Sequence, residues 1–307
     1  AYVPLAELGI DGATSEARTL QLNQRVQKGD LFAYFASQHA FAPMSPFAVD
    51  KLPTAVVAGD FNGDGALDLV TANGQSSVSV LLGDGKGAFG ASTNIGTYPN
   101  ASSVASGDFN GDRQLDLAVV TYGSNSVNIL LGDGKGGFTF ATDLPGIGNP
   151  GKVVAADVNQ DRILDLIVTS GFTSSVQILL GNSKGGFSAA RSFPTGPSPV
   201  PVAVGDLDGD RHPDLVVGNV GSGSVSVLRG DGRGGFAEVG NHATGHIPSS
   251  IVLGDLNGDG KPDLVVTNTG DDDVSVLLGD GKGGFAATNN FGAGSWPYAA
   301  VLADFDG

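Results

Sequence analysis

The chain has 307 residues, and its 16 basic against 32 acidic side chains leave a net charge of −16, which argues against a nucleic-acid backbone as partner. It contains no cysteine, so neither a disulfide framework nor a thiol nucleophile is available. No apolar run reaches the roughly 18 residues of a membrane span, and 49 glycines with only 7% aromatic residues suit short strands and tight turns.

The opening stretch, AYVPLAELGI, lacks the basic-then-apolar pattern of a secretory signal, so any signal peptide is expected to have been removed or to lie outside this chain. Residues 1–17 show no repeat and are read as an N-terminal arm. A faint repeat begins at residue 18. Residues 18–27 can supply a strand, and Leu31 to Pro53 lines up with a later pattern of strand, turn, phenylalanine and link, Phe41 falling 48 residues before Phe89. Residues 18–51 are therefore expected to form a degenerate unit that lacks its first strand.

Residues 52–298 hold five complete repeats. Each opens with a short apolar strand such as Val56-Val57-Ala58, enters an acidic loop, and continues into a second strand such as Leu67 to Val70. A polar loop (NGQSS, YGSNS, GFTSS, GSGS or TGDDD) leads to an alternating run, VSVLL or its variants VNILL, VQILL and VSVLR, whose period of two is that of a strand. An Asp-Gly hairpin signal follows in most copies. Phe89, Phe138, Phe187, Phe236 and Phe285 then fall 49 residues apart, each followed by a less regular fourth strand and a Gly/Pro-rich link. Residues 299–307 begin a sixth copy, with a first strand expected over 299–305.

Four short strands per unit, without helical periodicity, predict an all-β fold: a β-propeller of four-stranded antiparallel blades, one domain over residues 18–307. Joining 299–307 to 18–51 would close six blades. Continuation past residue 307 would make seven, and a chain that stops inside an acidic loop is expected to have a longer parent.

The acidic loops pose the chemical question, because carboxylates held this close repel unless a cation or protons compensate them. Oxygen-bearing side chains recur at loop positions 1, 3, 5 and 9. They are Asp60, Asn62, Asp64 and Asp68 in the first copy, and Asp108, Asn110, Asp112 and Asp116 in the second. The third copy has Asp157, Asn159, Asp161 and Asp165, and the fourth has Asp206, Asp208, Asp210 and Asp214. The fifth has Asp255, Asn257, Asp259 and Asp263, and the truncated sixth keeps Asp304 and Asp306. Calcium takes six to eight oxygens from carboxylates, amides and backbone carbonyls, and a carbonyl at position 7 would complete such a shell. That side chain is then free to vary, as Ala66, Gln114, Ile163, His212 and Lys261 do. Gly63, Gly111, Gly209 and Gly258 at position 4 allow the sharp turn, Gln160 being the exception. One calcium ion per complete repeat, five in all, is the expectation; magnesium, with its stricter octahedral geometry, is the poorer match. The competing reading is a set of Asx-rich turns that solubilise one rim.

With DFNGDGALDLV followed by a strand and a G-x-G-x-F turn, the chain resembles the FG-GAP and VCBS repeats of integrin α-chain propellers, bacterial surface proteins and certain fungal lectins. The resemblance covers residues 52–307, with a weaker trace in 18–51. The Phe-Gly pair survives literally only at Phe89-Gly90, and Ala72-Asn73 or Gly218-Asn219 stand where Gly-Ala-Pro would be, which is closer to the bacterial VCBS-like branch. What the resemblance implies is structural calcium in each loop, an extracellular, secreted or cell-surface setting, and a non-enzymatic role in adhesion or in binding a glycan or protein. The alternative is a structural subunit of an extracellular homo-oligomeric or fibrous assembly, with the arm 1–17 reaching a neighbour.

Other residues carry less chemistry. The histidines are His39, His212, His242 and His246, and the last two, though four apart, lie in a strand end and link where a zinc pair is not expected. Asp271-Asp272-Asp273 reads as a solvated loop tip. Lys86, Lys135, Lys184, Arg233 and Lys282 recur once per repeat on the acidic-loop face and are expected to balance its charge. The links and polar loops lie on the opposite face. There Tyr98, Tyr122, Phe172, His246, Trp296 and Tyr298 are candidates for ligand contact.

Overall fold

The computed structural model describes residues 46–303; the arm 1–17, most of the degenerate unit, and Asp304 and Asp306 lie outside the described residues. Five four-stranded antiparallel sheets follow one another in the chain, each with its strands in sequence order. The first holds β1 (Pro53–Gly59), β2 (Asp68–Asn73), β3 (Ser77–Leu81) and β4 (Thr93–Gly96). The second holds β5 (Ala101–Gly107), β6 (Asp116–Thr121), β7 (Ser126–Gly132) and β8 (Phe138–Pro145). Next come β9 (Pro150–Ala156), β10 (Asp165–Ser170), β11 (Ser175–Leu179) and β12 (Arg191–Pro194). The fourth sheet is β13 (Pro199–Gly205), β14 (Asp214–Asn219), β15 (Ser224–Gly230) and β16 (Phe236–Ala243). The fifth is β17 (Pro248–Gly254), β18 (Asp263–Asn268), β19 (Asp273–Leu277) and β20 (Asn289–Gly292). The first strands of consecutive sheets pack side by side, β1 on β5, β5 on β9, β9 on β13 and β13 on β17. This is the β-propeller, with five complete blades among the described residues.

The core lies between blades. Val70, Ala72, Val78 and Val80 of the first sheet meet Leu117, Val119 and Leu130 of the second, and three further clusters repeat the arrangement around the body. Each buried valine or leucine among them, removed from water, contributes roughly 1.5–3 kcal/mol. The alternating run VSVLL does not leave a solvated face, however. Ser77 and Ser79 are buried too, under the segment carrying Asp50, whose carboxylate accepts the Ser77 hydroxyl and whose N–H donates to Ser79. Their hydroxyls are satisfied by the buried Asn73 amide, which donates to both, and Ser79 also donates to Asn94.

Two details at the start of each blade position the rest. A residue with positive φ precedes every first strand: Leu52, Asn100, Asn149, Ser198 and Ile247, and again Trp296 before Pro297, all between 52° and 60°. Each first strand also carries a β-bulge within its first few residues. The strand expected over 299–305 does not form within the described part, as residues 299–303 make no ladder. A strand forms only through a ladder to a partner, and residues 18–27, expected to supply that partner, lie outside the described residues.

Candidate metal centres

The loop of the first blade is organised around Asp60. Its Oδ1 accepts the N–H groups of Gly63 (2.7 Å) and Asp64 (3.1 Å), and its Oδ2 accepts that of Gly65 (2.9 Å). Asn62 Oδ1 accepts the Asp64 N–H at 2.9 Å, and Asp64 Oδ1 accepts the Ala66 N–H at 2.8 Å. Positions 1, 3 and 5 thus converge on the inside of one turn, which Gly63 and Gly65 close at φ of 76° and 84°. The second and fifth loops repeat the pattern around Asp108 and Asp255. Around Asp157 the turn is closed by Gln160 and Arg162, both at positive φ, so position 4 tolerates a side chain.

Position 9 does something the sequence did not reveal. Asp68 is buried, and its carboxylate accepts two backbone N–H groups, from Phe61 at 2.9 Å and from Gly83 at 2.8 Å. Asp116, Asp165, Asp214 and Asp263 repeat this bridge from the loop to the end of the third strand. Glycine at the far end is required by space: a Cβ on Gly83 would stand 2.1 Å from the Leu67 carbonyl oxygen. The signal was present as a glycine 15 residues after position 9 in the first repeat and 16 after it in the other four. Burial raises the Asp116, Asp165 and Asp214 carboxyls above the ordinary range against the pull of these N–H donors, and the neighbouring loop carboxylates push the same way.

The donor set fits a hard cation. Each carboxylate or amide oxygen has two lone pairs, and the loop's own hydrogen bonds leave acceptor capacity on Asp60, Asn62 and Asp64, oxygen donors of the kind calcium takes. The position-9 carboxylate, expected as a fourth ligand, is held away by its two backbone N–H groups: among the described residues the three carboxylates brought within 4.8 Å of one another are Asp206, Asp208 and Asp210. A divalent ion there would also offset the repulsion that the loop carboxylates add to the effect of burial at Asp116, Asp165 and Asp214.

The fourth loop departs from the others. It has Asp208 where the rest have asparagine, and oxygens of Asp206, Asp208 and Asp210 lie within 4.8 Å of one another. The extra carboxylate is matched by an extra cation. Arg229, where the other repeats have Leu82, Leu131, Leu180 and Leu278, pairs with the buried Asp208 and lies 3.9 Å from Asp210. Position 7 is not idle either, since His212 approaches Asp210 at 3.4 Å and Lys261 approaches Asp259 at 3.4 Å.

The recurring lysines behave differently from expectation. Among the described residues, Lys86, Lys135, Lys184, Arg233 and Lys282 form no ion pair with a loop carboxylate. Their role is carried by the backbone: the Lys135 and Gly137 N–H groups donate to Asp133, for example, and close the β7–β8 hairpin. That hairpin locks onto the preceding blade. Gly136 N–H donates to the Phe61 carbonyl at 3.0 Å, and the Phe61 and Phe138 rings meet edge to face at 5.7 Å.

On the opposite face, Tyr122, Phe172, Trp296 and Tyr298 are exposed, the last three at about three-quarters of their surface. Tyr98 packs on Phe140 at 5.6 Å, and the exposed His246 pairs with Asp271 at 2.9 Å, so Asp271 is not a bare loop tip. His242 stacks edge to face on Phe285 and stays apart from that pair.

The family model described as "FG-GAP-like repeat" matches residues 60–119, 108–168, 157–217, 208–266 and 255–307. No curated protein matches the chain. Among solved structures, a protein from Lactobacillus plantarum is similar with a TM-score of 0.61 at 15% identity, over 80% of this chain and 73% of that one. The periplasmic gluconolactonase of Pseudomonas aeruginosa gives 0.60 at 17%, over 79% and 71%. The V. cholerae biofilm matrix protein Bap1 gives 0.50 at 18%, over 78% of this chain and 40% of that one. At these identities the likeness is one of fold.

Proposed function

The chain belongs to the FG-GAP-like repeat family, and we propose that it is a calcium-stabilised extracellular β-propeller that binds a glycan or protein without catalysing a reaction. The observation that carries the reading is the division of labour between its two faces. On one, the acidic loops and hairpins are nearly identical from blade to blade and bolted to one another through bonds such as Gly136 to Phe61. On the other, links and second-to-third-strand loops of differing sequence expose Tyr122, Phe172, Trp296 and Tyr298. Varied loops with exposed aromatic rings on a rigid scaffold are where recognition resides. Calcium, in this reading, is structural: it neutralises the loops and fixes the scaffold.

The test is a glycan and protein array probed with the 307-residue chain in calcium. Tyr122→Ala and Trp296→Ala are expected to weaken any hit at least tenfold, and Lys86→Ala on the acidic face to leave it unchanged. A hit that ignores the aromatic substitutions and fails with Lys86→Ala would place binding on the wrong face and overturn the reading.

A further inference from the structure

The bulges in the five first strands have a joint consequence. A bulge re-aims successive side chains, and here the bulge regions of β1, β5, β9, β13 and β17 all line one cavity of about 450 Å³ at the propeller's centre. That volume is in the range of sites for small molecules. Its mouth is on the link face, where Tyr122 and Tyr298 stand among the lining residues.

One lining residue is charged. Lys152 stands where the other repeats have Ala55, Ser103, Pro201 and Ser250, and among the described residues it has no ion-pair partner. This is an odd place for an uncompensated cation in a chain with twice as many acids as bases. Burial holds the Lys152 ammonium below the ordinary lysine range, the cost expected of a charge withdrawn from water without a counter-ion. Two further polar atoms of lining residues, Ser102 Oγ and Asn149 Oδ1, are buried without a hydrogen-bond partner. By contrast the Thr54 and Ser249 hydroxyls are already used, bridging to the Ala101 and Pro297 carbonyls of the next repeat.

We propose that this cavity binds a sugar carboxylate, a uronic acid, whose carboxylate pairs with Lys152. Its ring hydroxyls meet Ser102, Asn149 and Ser250, and its apolar face lies against Tyr122 and Tyr298. A single cation selects one negative charge, the unpaired oxygens select hydroxyl donors, and the aromatic rims suit a ring with an apolar side. The inference rests on the link face being the binding face.

Calorimetric titration of the full chain with D-glucuronate, D-glucose and acetate, in calcium, tests it. Glucuronate is expected to bind at least tenfold more tightly than either of the others. Lys152→Ser copies the residue at the equivalent Ser103 and Ser250, so the blade keeps a side chain it already accommodates. That variant should lose the preference for glucuronate over glucose while its melting temperature is kept. Lys152→Arg should retain it. No binding of glucuronate to the wild type, acetate binding as tightly as glucuronate, or a preference that survives Lys152→Ser would each overturn the site. If array hits dependent on Tyr122 and Trp296 persist in that case, the reading of the face stands and only the uronate cavity falls.

Discussion

At the scale of single residues, carboxylates nine positions or fewer apart have different tasks. Asp263 is buried and holds the N–H groups of Leu256 and Gly279. Asp263→Asn keeps one acceptor and turns an NH2 toward the other donor, which should cost about 2 kcal/mol with or without calcium. Asp259 accepts the N–H of Lys261 and lies 3.4 Å from its exposed ammonium, a pair of little worth at the surface, and an asparagine there keeps the backbone bond. Asp259→Asn is therefore expected to be neutral in chelator and to weaken calcium binding at that blade, as melts in chelator and in calcium would show. Equal behaviour of the two variants in both conditions would remove the distinction. The fourth loop offers a second test. Arg229→Leu copies four other repeats but strands the buried Asp208 carboxylate. It should destabilise the chelated protein by about 1–3 kcal/mol, and Asp208→Asn in the same chain should recover most of the loss. A double-mutant cycle in chelator measures this coupling, and additive effects would contradict it.

At the scale of the element, the hairpin between the third and fourth strands is a small pH-sensitive clasp. In the second, fourth and fifth repeats Asp133, Asp231 and Asp280 each accept two backbone N–H groups, and these bonds hold their carboxyls below the usual carboxylate range. A lowered folded pKa means that the stabilisation is fully present above the unfolded value of about 3.9 and is lost as pH falls through the lower folded value. In the third repeat Asn182 makes the same two bonds and does not titrate. Acidification below pH of about 3.9 should therefore release the Lys135 and Gly137 amides to hydrogen exchange before those of Lys184 and Gly186. Simultaneous release would mean that the clasp opens only with the whole blade.

At the scale of the molecule, five loops on one face share one dependence. Each blade touches only its neighbours, so stabilisation of one loop passes through contacts such as Phe61 on Phe138 to the next. Five sites at tenfold excess over their dissociation constants would contribute about 7 kcal/mol, from roughly 1.4 kcal/mol each. Chelation should then lower the melting temperature by on the order of 10 °C, calcium should restore it, and magnesium should restore less. An unchanged melt in chelator would remove calcium from the scaffold.

The sequence by itself determined the repeat, its four strands and the position of the acidic loops, because a period of 49 residues with fixed oxygen and glycine spacing is local information. It also separated the two faces, since strand order alone decides which loops share an end. Only the tertiary structure decided what depends on the meeting of distant residues. The bridging role of Asp68 needs Gly83 brought to it from the end of β3, and the pairing of Asp208 with Arg229 needs two departures from the repeat to land side by side. Lys152 is one lysine among many until five bulged strands close around it. The burial of the serines in VSVLL was likewise not legible: period two reports a strand's two sides, and whether the polar side is covered is fixed only when the sheets stack.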